Sequence, residues 1–457
     1  VVSRVLWGRS MKRLGGLVAA LRSGEGLKGQ LLRGGISSIA IKTTSTGLSL
    51  LLAIILARLL GAEEFGVYSF VFAIVTILAI PAQMGLPNLV VRETAKAQAN
   101  EDWPLLKGLW RWSTLTVLSM SVALMIVGAM AAWILAPYLP EHSQTVFYWG
   151  LALVPFVALG NLRGAALRGL RKVVQGQLPE FILRPTFLIA LMLIAHFGCR
   201  SHSLTAFDAL VLHTIASFFA FIVGAWLLLK AQPQQIRSVM ASANHSSFWL
   251  WSTIPLAIIQ AIYVVNQNIG IVVLGILQPP TEVALYRIAM QGSLVISISL
   301  SAAYLVANPY ISRLYAKGNI SGLRKLSIET ANICFVISAI IMFFYVVFGR
   351  QIILNVFGRE LRDSFFALLI LSSGQIFNAY GALAGSILTM TNREREILIP
   401  AGLSVIVNIV MSFGLGSQFG LNGVACATML TVIFWNMFLL YLVRLRFGFW
   451  ATATFSR

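Results

Sequence analysis

The chain has 457 residues, of which 58% are hydrophobic and only 11% charged. A soluble protein would carry about 25% charged residues, so most of this chain is expected in lipid, as an all-α integral membrane protein. The formal charge of +19 is read as membrane orientation rather than nucleic-acid binding, because the basic residues flank apolar spans.

Residues 1–33 carry seven Lys and Arg among Val, Leu and Trp, and are expected to form a basic arm or amphipathic helix on an anionic leaflet. They have no uninterrupted apolar core leading to a small-residue cleavage site and do not read as a signal peptide. Twelve spans follow, at about 35–58, 66–90, 108–136, 145–167, 177–197, 206–230, 248–277, 282–308, 325–348, 362–389, 396–417 and 421–444. Each reaches or approaches the ~20 residues that cross a ~30 Å hydrocarbon core.

The spans divide into an N-terminal six-helix bundle over residues 34–230, a cytoplasmic linker over 231–247, a C-terminal bundle over 248–446 and a tail over 447–457. The N-terminal arm, the even-numbered loops and the C-terminus hold 26 of the 34 Lys and Arg, with Arg163 counted beside the loop after the fourth span. The odd-numbered loops hold five, so both termini are expected in the cytoplasm.

The first two spans meet at a kink around Arg58–Gly66, and a weaker copy of this hairpin lies near residues 255–300. Glu282-Val283-Ala284-Leu285-Tyr286 echoes Glu64-Phe65-Gly66-Val67-Tyr68, and Gly385–Arg393 echoes Gly164–Lys172. Six spans per half, both halves starting inside, make a parallel repeat. Its pseudo-twofold axis should run along the membrane normal, with a cavity between the two six-helix bundles. Pro81, Pro155, Pro185, Pro255 and Pro309 interrupt apolar runs, either as kinks absorbed by packing or as bending points.

Catalytic signatures are missing. The sequence has no Gly-rich phosphate loop, no paired His ligands and no nucleophile elbow. The cysteines (Cys199, Cys334, Cys426) and histidines (His142, His196, His202, His213, His245) have no disulfide or metal spacing, so no cofactor or metal is implied. The histidines are expected in loops or at helix ends. Polar loops shorter than twenty residues leave no room for a soluble catalytic domain, and the chain is not expected to be an enzyme.

What the spans do hold is positive charge. Lys42 lies in span 1 on a stripe with Ser38, Ser45 and Ser49, a pattern that should face protein or water. Lys42 either snorkels toward the cytoplasm or faces an anion site in the lumen. Arg58 ends span 1, and Arg184 lies in span 5 with Glu180 four residues earlier as an ion-pair partner. Arg287 lies near the outer end of span 8, with Gln291 one turn further and Glu282 at poor helical spacing. In span 7, Gln260, Tyr263 and Gln267 share a face suited either to sugar hydroxyls or to interhelical hydrogen bonds.

Several of these stretches together resemble a known family. Leu56–Tyr68, Gly85-Leu86-Pro87 with Val91-Arg92-Glu93, Leu167–Arg171 running on to Leu183-Arg184-Pro185, Ala284–Ala289, Leu388–Thr391 and Gly420–Ala425 resemble, in order, segments of polysaccharide biosynthesis flippases. These are the O-antigen-type lipid-linked oligosaccharide translocases of the multidrug/oligosaccharidyl-lipid/polysaccharide (MOP) exporter superfamily.

The resemblance covers about residues 34–447 and implies a MATE-like fold in a prokaryotic inner membrane. It implies transfer of an undecaprenyl-diphosphate-linked glycan from the cytoplasmic to the outer leaflet, with membrane lipids and other polysaccharide assembly proteins as surroundings. Arg184 and Arg287 fall on family motif positions, and Lys42 does not. With Lys42, Arg58, Arg184 and Arg287 as candidates for the diphosphate, Gln260, Tyr263, Gln267 and Gln291 are candidates for the glycan. Relatives often place an acidic residue in span 7, where this chain has Asn266 and Asn268, so cation coupling through such an acid is not carried over. A multidrug-type exporter and a membrane-embedded glycan polymerase or glycosyltransferase are the alternatives.

Overall fold

A computed structural model of the chain describes residues 27–134, 141–198, 203–238 and 246–454. The expected N-terminal arm lies outside these residues up to position 26, as does most of the linker beyond position 238. The regular structure of the described residues is all helical, with no strand among them. In chain order the helices are α1 (Leu27–Gln83), α2 (Leu86–Ala99), α3 (Trp103–Ile134), α4 (Glu141–Leu151), α5 (Leu153–Gly169) and α6 (Val173–Leu178). A π-helical turn, Pro179–Leu183, joins α6 to α7 (Arg184–Gly198), followed by α8 (Ala206–Ala231) and α9 (Gln234–Ser238). Then come α10 (Ser246–Leu277), α11 (Pro280–Leu294), α12 (Ile298–Ala316), α13 (Ile320–Val356), α14 (Ser364–Tyr380), α15 (Ala384–Met390) and α16 (Glu394–Phe447).

Two of these helices are too long for one crossing. The 57 residues of α1 would extend roughly 85 Å if straight. Gly61, at φ 78° and ψ 175°, breaks it inside the expected kink. Gly420, at φ 53° and ψ −132°, breaks the 54-residue α16 at the boundary expected between the last two spans. Both glycines have φ above zero, where a side chain would clash with the following carbonyl. Eight helices among the described residues are long and apolar enough to cross a membrane, or ten when two bent pairs are each counted as one span.

Those bent pairs depart from the expected continuous spans: α11 with α12 turns by 42°, and α14 with α15 by 47°. The second expected span also ends early. Met84 (φ 46°) and Gly85 (φ 70°) stop α1, and α2 restarts with Pro87 in its first turn, where proline's missing N–H has no helical partner to lose. Pro155 and Pro185 likewise open helices rather than interrupt them.

The internal echoes correspond to repeated contacts. Glu64 accepts a hydrogen bond from the Ala206 backbone N–H (2.6 Å) at the start of α8, and Glu282 accepts one from Leu421 (3.3 Å) just after the Gly420 break. Each carboxylate satisfies an N–H that a helix start leaves without an internal partner. Four residues after each glutamate a tyrosine reaches the same helix one register further on: Tyr68 bonds His213 (2.9 Å) and Tyr286 bonds Thr428 (2.9 Å). The second echo matches too. Arg171 (φ 62°) and Asn392 (φ 59°) both end a helix in the left-handed region. The next N–H then returns to a carbonyl five residues back, Lys172 to Leu167 and Arg393 to Leu388, both at 2.9 Å.

The two halves meet along α1, α10 and α11, and glycines set how closely. A Cβ on Gly66 would collide with the Pro280 carbonyl, and one on Gly275 with the Phe70 ring. Helices α3 and α13 carry outward apolar side chains such as Ile126 (56% exposed) and Phe343 (65%), as lipid-facing helices do. The segment after α16, expected as a tail, packs back against the helices as far as position 454. Ala453 N–H bonds the Tyr380 carbonyl (3.0 Å) at the α14–α15 break, and Asn332 bonds the Thr454 carbonyl (3.0 Å).

Gly66→Ala should cost about 1–3 kcal/mol through overpacking, because the obstacle is backbone that cannot swing aside. Gly47, with nothing within 4 Å of its added Cβ, is the control. In detergent, Gly66→Ala should lower the thermal midpoint by several degrees and Gly47→Ala should leave it unchanged or raise it; equal midpoints would show that the Gly66–Pro280 approach does not hold the halves together.

Candidate functional site

A cavity of about 250 Å³ lies where both legs of α1 meet the π-turn, α7, α8 and α11. The polar stripe of the first leg supplies Ser45 and Ser49, both half-buried. The second leg adds Tyr68, whose hydroxyl is held by His213. Two different helices bring the cations, Arg184 of α7 and Arg287 of α11, with Gln291 one turn beyond Arg287. Two of the four cationic candidates therefore share one chamber.

They are held differently. Arg184 Nη1 contacts Glu180 Oε2 at 3.2 Å, the ion pair anticipated from i, i+4 spacing. Glu180 is shared, however: its Oε1 accepts from Arg163 Nη2 at 2.9 Å. Arg163, counted with a loop on sequence grounds, lies inside α5 and is 6% exposed. Arg287 has no ion pair among the described residues, and Glu282, its near neighbour in sequence, is engaged at Leu421. An uncompensated cation at membrane depth costs several kcal/mol unless water or a ligand anion neutralises it.

The other two cations sit elsewhere. Lys42 is exposed and lines neither this chamber nor the larger one described below. Its position on the Ser45–Ser49 stripe leaves it one turn before the chamber begins. Arg58 is turned to the far half: its guanidinium donates from Nε to the Val356 carbonyl (2.6 Å) and from Nη2 to the Asn355 carbonyl. These are terminal carbonyls of α13, which have no helical partner and carry the negative end of the helix dipole.

A second cavity, about 640 Å³, lies within the C-terminal half and is lined mostly by apolar side chains. Tyr263 and Gln267 face it together with Tyr286, Gln375 and Trp435, and Glu394 is the single charged residue of its lining. Gln260, half-buried on the same helix, lines neither cavity. Gln291, grouped with the amides on sequence grounds, belongs to the cationic chamber instead. Asn266 is occupied in interhelical bonding, donating to Ser404 Oγ (2.9 Å) and accepting from Asn408 (3.2 Å). Asn268 donates to the Val264 carbonyl (2.9 Å) of its own helix.

Sequence reasoning missed Arg163, Tyr68 and His213 as members of the chamber and its support. His213 is not at a helix end: it is 3% exposed within α8. The usable signals were small residues, because Gly160 and Gly224 leave the space that Glu180 and Arg163 occupy.

The fold is that of MOP-superfamily transporters. A multidrug resistance MATE-family transporter in an inward-facing conformation superposes with a TM-score of 0.75 at 15% identity, covering 91% of this chain and 98% of its own. A MOP-superfamily transporter from Pyrococcus furiosus, described as having a binding pocket of reversed polarity, gives 0.62 at 15% identity over 94% of this chain and 98% of its own. Among sequences, the "probable low-salt glycan biosynthesis flippase Agl15" of Haloferax volcanii is 22% identical over 88% of this chain and 81% of that protein. The sequence model of the family described as "Polysaccharide biosynthesis protein" matches residues 31–315, more than half of the chain. The chain belongs to that family.

Arg58→Ala should uncover the α13 carbonyls and lower stability by about 0.3–1 kcal/mol. Its effect on pyrophosphate affinity, measured by calorimetry on the purified protein, should stay within about twofold, since Arg58 is directed away from the chamber; a large loss of affinity would place it in the binding site after all.

Proposed function

We propose that this protein is a flippase that moves an undecaprenyl-diphosphate-linked glycan from the cytoplasmic to the outer leaflet by alternating access. Covalent chemistry is no part of the proposal. The observation that carries it is Arg287, a cation without an acidic partner among the described residues, lining the same chamber as Arg184. Two guanidinium groups lining one chamber suit a diphosphate, whose oxygens each can take in a bidentate geometry. The family and the glycan-flippase relative support the same substrate class.

In this reading Arg184 and Arg287 bind the diphosphate, with Gln291 beside it. Lys42 at the foot of the serine stripe attracts the head group as it enters. Tyr263 and Gln267 offer the larger cavity to the glycan, with Trp435 as a stacking surface. The prenyl chain stays in the bilayer. In the same reading α1 and α16 each supply two spans, which with the two bent pairs would make twelve crossings in two bundles, and the basic asymmetry supports an orientation with both termini in the cytoplasm.

The apolar character of the larger cavity favours one other reading, a multidrug-type exporter. Cells lacking the protein distinguish the two: a flippase defect leaves lipid-linked glycan on the cytoplasmic face, whereas an exporter defect does not.

Arg287→Ala should reduce glycan export at least tenfold, and Arg287→Lys less, at membrane abundance within about twofold of the parent, because no carboxylate is stranded by either change. Export at the parental rate by both Arg184→Gln and Arg287→Ala would end the diphosphate assignment.

Orientation is tested separately. A cysteine placed at exposed Thr281 should react with an impermeant maleimide in intact cells, and one at exposed Gln234 only after permeabilisation. The reverse pattern would invert the topology.

A further inference from the structure

Glu180 is a carboxylate 8% exposed, and its two oxygens are divided between two arginines. Only one of those arginines reaches the chamber. Arg163 does not line it: its side chain is 5% exposed, donates to the Ala220 and Phe221 carbonyls of α8, and lies 5.2 Å over the Phe221 ring. Arg184 does line it, and keeps 22% of its side chain exposed there.

We infer that Arg163 is a positioning residue for anion binding, which acts through Glu180 to keep the charge of Arg184 available to the ligand. The inference rests on the reading of Arg184 and Arg287 as the diphosphate site. Its logic is charge balance. If Glu180 paired with Arg184 alone, the two would cancel and Arg287 would be the chamber's sole net cation. Arg163 supplies the second positive charge that Glu180 requires, so the triad keeps one net charge, and that charge is delivered at Arg184. Together with Arg287 this gives two net positive charges, facing a ligand with one negative charge on each phosphoryl group. Glu180 contacts Arg184 at Nη1, and a guanidinium carries five N–H donors, more than one carboxylate oxygen can take.

The surrounding backbone is shaped to this triad. A Cβ at Gly160 would collide with the Glu180 carboxylate, and one at Gly224 with the Arg163 guanidinium. Glu180 lies in the π-turn, a widened turn that costs regular hydrogen bonding and recurs where helices carry function. Stability does not explain the arrangement, because a buried ion cluster is commonly no more stabilising than apolar side chains of similar volume. The Arg163 Nε, buried and without a hydrogen-bond partner among the described residues, adds to that cost.

The test is calorimetric titration of the purified full-length protein in detergent, with inorganic pyrophosphate and with a short-chain polyprenyl diphosphate as probes. Arg163→Gln should weaken both on the order of tenfold, because Glu180 then neutralises Arg184 at close range. Glu180→Gln should tighten both by a similar factor, and Arg163→Lys should stay near the parent. The double variant Arg163→Gln/Glu180→Gln should return close to the parental affinity. A purely structural triad predicts less folded protein with unchanged affinity in what remains, and no variant that binds tighter.

Should Arg163→Gln fail to fold, the comparison of Glu180→Gln with the double variant still isolates the Arg163 charge: tighter binding by the former supports the inference and equal binding overturns it. Loss of affinity in Arg184→Gln with none in Arg163→Gln overturns the role of Arg163 while the diphosphate site stands. Unchanged affinity in both Arg184→Gln and Arg287→Gln overturns the site and this inference together.

Discussion

A charge inside a membrane has to be neutralised or hydrated, and the chamber meets that constraint in two ways. On the N-terminal side Glu180 stands between Arg163 and Arg184, at 2.9 and 3.2 Å. On the C-terminal side Arg287 has no ion pair among the described residues. Much of the surrounding chain is arranged for this. Helix α5 carries Gly160 and α8 carries Gly224 so that the triad fits between them. The π-turn sets Glu180 and Arg184, four residues apart, on the same wall. An energetic argument based on stability alone would discard these groups, since apolar packing would do as well. Their presence fits the anion site proposed for this chamber.

The same constraint accounts for where the helices break. A helix crossing lipid must satisfy every backbone group internally, so irregular backbone is confined to ends and to protein-lined interiors. Gly61 and Gly420 break α1 and α16, and the carbonyls and N–H groups freed nearby find partners. Glu64 and Glu282 serve the helix starts at Ala206 and Leu421, and Arg58 serves the end of α13. The α14–α15 break is satisfied from further away, by Ala453 after the last helix. That contact joins the end of the chain to the middle of the C-terminal half.

The two cavities have different chemistry. The smaller has three charged groups on its lining, whereas the larger has Glu394 alone, with aromatic and amide groups on an otherwise apolar wall. They flank α11, which turns Arg287 and Gln291 toward one and Tyr286 and Met290 toward the other. One helix therefore forms part of both surfaces. The 100° between successive helical residues is what allows adjacent positions to serve chambers of opposite character.

The sequence by itself determined the class of the molecule, because apolar length and the scarcity of charge are properties of composition and need no contacts. It also determined the breaks at Gly61 and Gly420, where local backbone chemistry decides, and the pairing of Glu180 with Arg184, which one helical turn brings together. The echo of Glu64–Tyr68 in Glu282–Tyr286 was legible for the same reason: a repeat is written in order. Whatever depended on which distant residues meet was decided only in three dimensions. Arg58 looked like a lumenal cation until its partners proved to be carbonyls nearly three hundred positions away. Arg163 looked like a loop residue because nothing near it in the chain is acidic, and its partner arrives from the next span. Gln291 stayed with Arg287, one turn away as the sequence had it, while Tyr263 and Gln267 of span 7 reached a different cavity, a separation that only packing set. Long-range pairing of polar groups leaves little trace in local sequence, since the same arginine or glutamine is compatible with solvent, lipid headgroup or a buried partner until packing removes the alternatives.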